Sequence, residues 1–346
     1  MTERGGIDGR DAGTPRQPGR RTFLAAAGGG AVFASAAFGQ TAPPATGTPG
    51  PARLPDPVET IDLWPNGAPG MPATPPVETV EERSKDPNLA DRAVTGVVRP
   101  RLVVFRPGKP NGAAVMITPG GGYTRIVVDK EGYELGRWLS ARGFTVFVLF
   151  YRLPGEGWAA GPNVALSDAQ RAMRLIRHRA RDYGVDPERI AAMGFSAGGH
   201  LCADLLTRFA VRTYDPVDAA DTLSARPVAA VPVYPVVSMT APEAHPGSRE
   251  KLVGKHASPA LERAHSPHLN VPADAPPVFL LHAEDDATVP VENAILLRAA
   301  LRAKGIPVET HLFARGGHGF GLRGTPGKPV AAWPDLFVEW AKGLLI

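Results

Sequence analysis

Ile190-Ala191-Ala192-Met193-Gly194-Phe195-Ser196-Ala197-Gly198-Gly199-His200 is the stretch on which the reading of the fold turns. Ile190 to Met193 is a short apolar run of the kind that forms a buried strand. Gly194-Phe195-Ser196-Ala197-Gly198 follows at once, and a helical pattern then runs from Ala197 to Phe209. Strand, tight turn and helix in this order are the setting in which G-x-S-x-G acts as a nucleophile elbow. The chemistry explains the glycines. A serine on a strained turn needs neighbours without side chains, since a Cβ there would collide with adjoining backbone. The turn lifts the Ser196 hydroxyl above the sheet, and the helix N-terminus behind it aims N–H groups at developing negative charge.

Outward from the elbow, strand and helix patterns alternate. Leu102–Phe105, Ala113–Ile117, Phe144–Phe150, Val228–Tyr234, Val278–Leu281 and Glu309–Phe313 are apolar or alternating runs between Pro, Gly and polar residues, and they read as strands. Glu131–Arg142, Leu166–Ala180, Ile295–Lys304 and Phe337–Leu345 carry apolar residues at helical spacing. Alternation of this kind predicts βαβ units and a mainly parallel, doubly wound sheet covered on both faces, as a single domain over residues 96–346. Residues 240–277, rich in Pro, His and Ser, interrupt it and are expected to form an irregular loop over one end.

A serine hydroxyl is a weak nucleophile without a base, and the base needs an acid to orient it. In doubly wound hydrolases these follow in the order Ser, Asp or Glu, His. The strand ending at Leu281 leads into His282-Ala283-Glu284-Asp285-Asp286, an acidic loop that leaves Glu284, Asp285 and Asp286 open as the acid. The strand ending at Phe313 leads into Gly316-Gly317-His318-Gly319-Phe320, where a histidine between glycines has little to pack against and suits a positioned base. His282, at a strand end, and His200, one turn into the elbow helix, read as packed histidines. His265 and His268 have H-x-x-H spacing but lack a third ligand, so no metal site is expected. An oxyanion hole takes one N–H from Ala197 and another from a loop after a neighbouring strand. Pro119-Gly120-Gly121-Gly122-Tyr123 stands there, with glycines that let backbone approach a substrate oxygen. Tyr123, Trp158 and Phe320 lie near enough to these loops in the sequence either to line a sugar or acyl pocket or to pack.

The chain has 346 residues, and 38 basic against 34 acidic side chains give a formal charge of only +4. The densest basic cluster, Arg171 to Arg181, falls on a helix where one solvated face accounts for it, so no nucleic-acid partner is expected. The single cysteine, Cys202, excludes an intramolecular disulfide. Residues 1–36 read as an exported leader: Arg20-Arg21-Thr22-Phe23-Leu24 precedes a mildly apolar segment of 16 residues, Phe23–Phe38, closed by Ala34-Ser35-Ala36. That apolar segment is shorter than the ~20 residues a membrane helix needs, so no stable membrane anchor is expected. The paired arginines resemble a twin-arginine signal, which implies the twin-arginine export machinery as a partner and a periplasmic or extracellular destination. A lone cysteine fits a protein folded before export. Residues 37–95 read as a Pro/Gly-rich linker and extended lead-in; Gln40 to Pro76 alone holds 15 Pro or Gly among 37 residues. Ile61-Asp62-Leu63-Trp64-Pro65 within it could lay an apolar edge on the body.

Together these pieces resemble an α/β-hydrolase of the acetylxylan-esterase-like (BD-FAE-type) group of carbohydrate esterases. The resemblance runs from Leu63-Trp64-Pro65-Asn66-Gly67-Ala68-Pro69-Gly70 to His318-Gly319-Phe320-Gly321-Leu322 and is most specific at the elbow, the PGGGY loop, Pro276–Ala283 and the GGHGFGL segment. It implies the α/β-hydrolase fold, with Ser196 as nucleophile, His318 as base, and Gly121, Gly122 and Ala197 as oxyanion donors. It also chooses among the acids: in the family's D-x-x-V-P pattern the acid stands four residues before the proline, which is Asp286. Pro119 stands where related esterases often carry histidine. The implied reaction is hydrolysis of a carboxylic ester through an acyl-enzyme, without metal or organic cofactor, on a small or oligosaccharide ester. Three alternatives are weaker. A prolyl-oligopeptidase-type peptidase usually carries a large β domain ahead of the hydrolase. A xylan-cleaving glycosidase needs two carboxylates flanking a sugar bond, and Asp285 and Asp286 are adjacent on one loop. A noncatalytic binding protein on this fold would be expected to lack one of Ser196, Asp286 and His318.

Overall fold

The computed structural model describes residues 55–346, which belong to one domain; the leader expected at residues 1–36 lies outside the described residues. In chain order the elements are β1 (Thr60–Asp62), β2 (Thr79–Glu82), β3 (Arg92–Thr95), β4 (Arg101–Phe105), β5 (Ala114–Thr118), β6 (Ile126–Val127), α1 (Glu134–Ser140), β7 (Thr145–Phe150), α2 (Val164–His178), β8 (Ile190–Phe195), α3 (Ala197–Arg208), β9 (Ala229–Val233), α4 (Pro246–Val253), α5 (Pro259–Ala264), β10 (Val278–Ala283), α6 (Glu292–Ala303), β11 (Val308–Phe313) and α7 (Trp333–Lys342).

Eight strands form the main sheet in the order β1-β4-β7-β5-β8-β9-β10-β11, antiparallel at β1/β4 and β4/β7 and parallel from β7 to β11. Strands β5, β7, β8, β9 and β10 are buried at every residue, as expected where helices cover both faces. Burying each Val, Leu, Ile or Phe of these runs contributes about 1.5–3 kcal/mol of transfer free energy. Because β5, β8, β10 and β11 run the same way, the loops after them emerge along one edge of the sheet. That is where an open α/β sheet places its site.

Two expectations need correction. The boundary at residue 96 is not a structural one: β1 pairs with β4 in the main sheet, while β2 and β3 join β6 in a three-stranded sheet. Ile61, Leu63 and Trp64 are core residues. The segment is anchored by a fully buried ion pair, Arg152 with Asp168, which also accepts the Trp64 Nε1–H at 2.8 Å; Arg152 in turn donates to the Pro69 carbonyl at 2.7 Å. Removing one partner of such a pair costs about 3–5 kcal/mol, because the other charge stays buried. Residues 240–277 are likewise not an irregular loop. They form α4 and α5, whose first turns are capped by the His245 ring and the Ser258 hydroxyl, each followed by proline at the first helical position. Among the described residues no helix is long and apolar enough to cross a membrane.

Candidate active site

β8 ends at Phe195, and Ser196 turns the chain into α3 with φ 55° and ψ −118°, a left-handed conformation that costs a non-glycine residue energy. The strain is enforced by crowding. A Cβ at Gly194 would come within 2.2 Å of the Gly198 carbonyl oxygen, and one at Gly198 within 2.1 Å of the Thr118 carbonyl oxygen. The glycines of the elbow are therefore required by space.

The Ser196 hydroxyl lies 2.8 Å from His318 Nε2, and His318 Nδ1 lies 2.7 Å from Asp286 Oδ2. A carboxylate only accepts, so Nδ1 carries the proton and Nε2 is left as the acceptor for the serine O–H. Ser196 is 9% exposed and the His318 side chain 19%, which leaves the pair open to solvent at one edge. Asp286 is closed in. Its Oδ1 accepts from the Thr288 and Val289 amides, both at 2.9 Å, and its Oδ2 also receives the His282 Nε2–H at 3.1 Å. Burial on its own would push this carboxyl up, but the hydrogen bonds from His282 and His318 and the amides outweigh it and hold it below the usual carboxylate range. Asp286 is thus held as an anion facing the imidazole. Asp285, its neighbour, points to the other loop: its Oδ1 accepts from the Gly317 and Gly316 amides at 2.7 and 2.8 Å. Those two bonds lower its pKa and fix the turn that carries His318. Glu284 is exposed.

The glycine loop after β5 lies beside the elbow. A Cβ at Gly120 would meet the Phe195 carbonyl oxygen at 2.6 Å and Ser196 Cβ at 2.9 Å. The loop is held by the Tyr151 hydroxyl on the Pro119 carbonyl at 2.7 Å, by the Gly120 N–H on Glu131 Oε2 at 2.9 Å, and by a turn in which the Gly121 carbonyl accepts from Thr124 and Arg125. The Gly120 N–H is thereby engaged, whereas the Gly121 and Gly122 amides have no hydrogen-bond partner among the described residues. Ala197 is the first residue of α3, where a helix N–H has no intrahelical partner.

A family model described as BD-FAE matches residues 105–301. The chain belongs to the BD-FAE family. Among curated relatives, an acetylxylan esterase of Xylanibacter ruminicola is 32% identical over 226 residues, covering 64% of this chain and 44% of that protein. An endo-1,4-beta-xylanase B of Butyrivibrio fibrisolvens is 35% identical over 230 residues, 66% of this chain and 34% of that one. The chain therefore spans less than half the length of either. Among solved structures, an acetyl ester-xyloside bifunctional hydrolase from Caldicellulosiruptor lactoaceticus is similar over 82% of this chain and 96% of that one, at 35% identity and TM-score 0.67. Esterase 2 of Thermogutta terrifontis, phosphoramylated by tabun, follows at 25% identity and TM-score 0.56, over 81% of this chain. The fold is that of the α/β-hydrolase esterases.

Within this BD-FAE site, the structure brings Ser196, His318 and Asp286 together, with Ala197 following the serine at the start of α3 and the glycine loop meeting it at Gly120. The three aromatic residues do not line an open pocket. Tyr123, Trp158 and Phe320 are 1%, 3% and 2% exposed, because their large apolar faces are taken up in packing. Phe320 stacks edge-on against Tyr234 with centroids 4.5 Å apart, Trp158 lies under the Arg152 guanidinium, and the Tyr123 hydroxyl bonds His200. His282, expected only to pack, is buried but also touches the acid. His200 donates from Nε2 to the His265 carbonyl at 2.8 Å and accepts the Tyr123 O–H at Nδ1 at 2.7 Å. Burial keeps both His200 and His265 below the usual imidazole range, the latter at about 4. Among the described residues no group of acidic, His or Cys side chains is arranged to hold a metal ion.

Three residues near the site were not found by sequence reasoning. Glu131 and Tyr234 bridge the glycine loop to the His318 loop. His245, at the start of α4, accepts the Ser248 N–H at 3.2 Å, and burial together with nearby His318 lowers its pKa. Only Tyr234 left a trace in the sequence, as the polar end of a strand beside the elbow.

Proposed function

We propose that the protein is a serine esterase that deacylates short-chain esters of carbohydrates, acetylated xylan fragments among them. The single observation carrying this reading is the unbroken Ser196–His318–Asp286 hydrogen-bond chain, with distances of 2.8 and 2.7 Å and a tautomer fixed by a buried anion. Ser196 Oγ attacks the ester carbonyl while His318 Nε2 takes its proton. Asp286 stabilises the imidazolium without itself taking the proton. The negative charge on the former carbonyl oxygen is met by the Gly121, Gly122 and Ala197 amides, each such donor being worth about 3 kcal/mol in the transition state. As the tetrahedral intermediate collapses, the C–O bond to the alcohol breaks and the departing oxygen takes the proton from His318. Water then attacks the acyl carbon as His318 takes its proton, and His318 returns that proton to Ser196 Oγ as the acyl C–O bond breaks, releasing the acid and restoring both residues.

The relatives support the substrate class: one is named an acetylxylan esterase and another an acetyl ester-xyloside bifunctional hydrolase. Glycoside cleavage has no support at this site. It needs two carboxylates facing one sugar bond, whereas Glu131, Asp285 and Asp286 are each committed to backbone amides. The Arg20-Arg21 leader supports action outside the cytoplasm after twin-arginine export. The test is hydrolysis of acetyl, propionyl, butyryl and octanoyl esters, and of acetylated xylo-oligosaccharides, by the wild type and Ser196→Ala. Turnover highest for acetyl esters and absent in the variant is expected. Equal turnover by the variant sinks the reading.

A further inference from the structure

Glu131 is a buried carboxylate, 3% exposed, in a single π-helical turn, Asp129–Tyr133, that precedes α1. Among the described residues it forms no ion pair with lysine or arginine, and a desolvated charge without one is expensive to keep. Both its oxygens are instead spent on groups that border the reaction. Oε2 accepts the Gly120 N–H of the glycine loop at 2.9 Å, and Oε1 accepts the Tyr234 O–H at 2.9 Å. The Tyr234 oxygen accepts the Gly321 N–H at 3.2 Å, and the Gly321 carbonyl accepts the Trp333 Nε1–H at 2.9 Å. The Tyr234 ring lies edge-on against His318 with centroids 5.1 Å apart, and Tyr234 has φ 35°, so the ring sits at the end of a strained turn. One carboxylate therefore joins the loop beside Ser196 to the loop that carries His318.

We infer that Glu131 is a positioning residue: its carboxylate sets where the free amides of Gly121 and Gly122 stand against Ser196, and couples that loop to the His318 loop through Tyr234. This rests on the esterase reading above. The fit leaves no slack, because a Cβ at Gly120 would lie 2.7 Å from Glu131 Oε2 and 2.9 Å from Ser196 Cβ. An oxyanion donor is effective only within about 2.7–3.1 Å of the oxygen it serves, and displacements of about 1 Å near a reacting centre can cost 10²-fold. The chemistry also requires a carboxylate rather than an amide. Gly120 N–H and Tyr234 O–H both donate, so both oxygens must accept. In Glu131→Gln the new NH₂ either faces the Gly120 N–H, donor against donor, or donates to the Tyr234 oxygen and leaves the Tyr234 hydroxyl proton without its acceptor.

The experiment compares kcat, KM and inhibition by phenylboronic acid for the wild type, Glu131→Gln, Tyr234→Phe and the double variant, with 4-nitrophenyl acetate as substrate. Boronic acid forms a tetrahedral adduct on the serine and so probes the oxyanion site. The expected result is a fall of about 10–100-fold in kcat for Glu131→Gln, less than loss of a whole oxyanion donor, with KM within about threefold and boronate affinity falling in step. Tyr234→Phe keeps the ring against His318 and Phe320 and should lose a smaller part of kcat. The double variant should be no worse than Glu131→Gln alone, since the two groups act through one bridge. Wild-type kcat in Glu131→Gln, or losses that multiply in the double variant, would overturn the inference. If Glu131→Gln does not fold, as judged by its thermal transition, Tyr234→Phe decides: wild-type kcat there overturns it equally. Failure of the wild type itself to turn over the ester, or turnover by Ser196→Ala, would instead overturn the esterase reading.

Discussion

His318 and His200 both stand close to the serine turn, and they are held in opposite ways. His318 sits on a loop of glycines, keeps a fifth of its side chain in water, and has an anion on one ring nitrogen and a hydroxyl on the other. His200 is in the second turn of the helix that begins at that serine, fully buried, with the Tyr123 hydroxyl on one nitrogen and the His265 carbonyl on the other. Each ring has two hydrogen bonds and one fixed tautomer. The difference lies in charge. The His318 partner is a carboxylate able to stabilise an imidazolium, whereas the partners of His200 are neutral and burial opposes protonation. On the proposed mechanism one region gains a proton during a turnover, whereas burial disposes the other to exclude one.

Substitutions in the two regions should separate these roles. The largest effect is expected from Asp286→Asn, which puts an amide NH₂ before two ring N–H donors, those of His318 and His282. A fall in kcat of roughly 10²–10⁴-fold follows if the carboxylate sets the tautomer of His318, measured on the acetyl ester at pH 8. Asp285→Asn is the sharper control, because the two aspartates are neighbours with different partners. The amide oxygen can still accept from Gly316 and Gly317, so a loss of no more than about tenfold is expected, as suits a residue that orients the loop and touches no reacting atom. Equal losses in the two variants would mean that Asp286 acts only as loop scaffolding.

The smallest effect belongs to the buried region and appears as stability. Burial disfavours the charged form of His265 and pushes it down to about 4 in the folded protein; nearby Asp204 opposes this and Arg208, at 3.3 Å from Nδ1, adds to it. In the unfolded chain an imidazole titrates near 6.5. The folded value is the lower one, so the unfolded state takes up the proton first as pH falls. The contribution of His265 is present above about pH 6.5 and is lost progressively down to about pH 4. His265→Gln should therefore show a shallower decline of the denaturation midpoint between those pH values, with kcat at pH 8 nearly unchanged. A decline as steep as the wild type's would mean that other groups carry the acid sensitivity.

What could be read from the sequence, and what could not, follows the same division between local and distant causes. The elbow, the glycine loop and the His318 loop were legible because each is a short segment whose residues explain one another: Gly194 and Gly198 make room for the turn at Ser196. The parallel strands were legible because full burial leaves an uninterrupted apolar run, as at Thr145–Phe150. The lead-in was hidden by its prolines; β1 to β3 are 3–4 residues long and hold their places through Trp64, Asp168 and Arg152, which are far apart in sequence. Helices α4 and α5 were hidden because the first is amphipathic to no visible degree and the second is a turn and a half. The choice of Asp286 over Asp285 came from a resemblance, since the chemistry of either carboxylate would serve. Glu131 was invisible for a further reason. It opens a run of helical spacing and looks like a solvated first-turn acid, and only the π-helical turn, Asp129–Tyr133, brings it inward to Gly120.

The central claim is that Ser196 is the nucleophile of a covalent catalyst, and the most direct measurement is the site of modification by a fluorophosphonate. The intact protein is treated at pH 8, and the modified peptide is identified by mass spectrometry, with Ser196→Ala and Asp286→Asn alongside. The account predicts one adduct per chain, on Ser196, formed in step with loss of esterase activity, slowed in Asp286→Asn and absent in Ser196→Ala. Full loss of activity with the adduct on another residue, or an unmodified Ser196 in the inactivated protein, would contradict it.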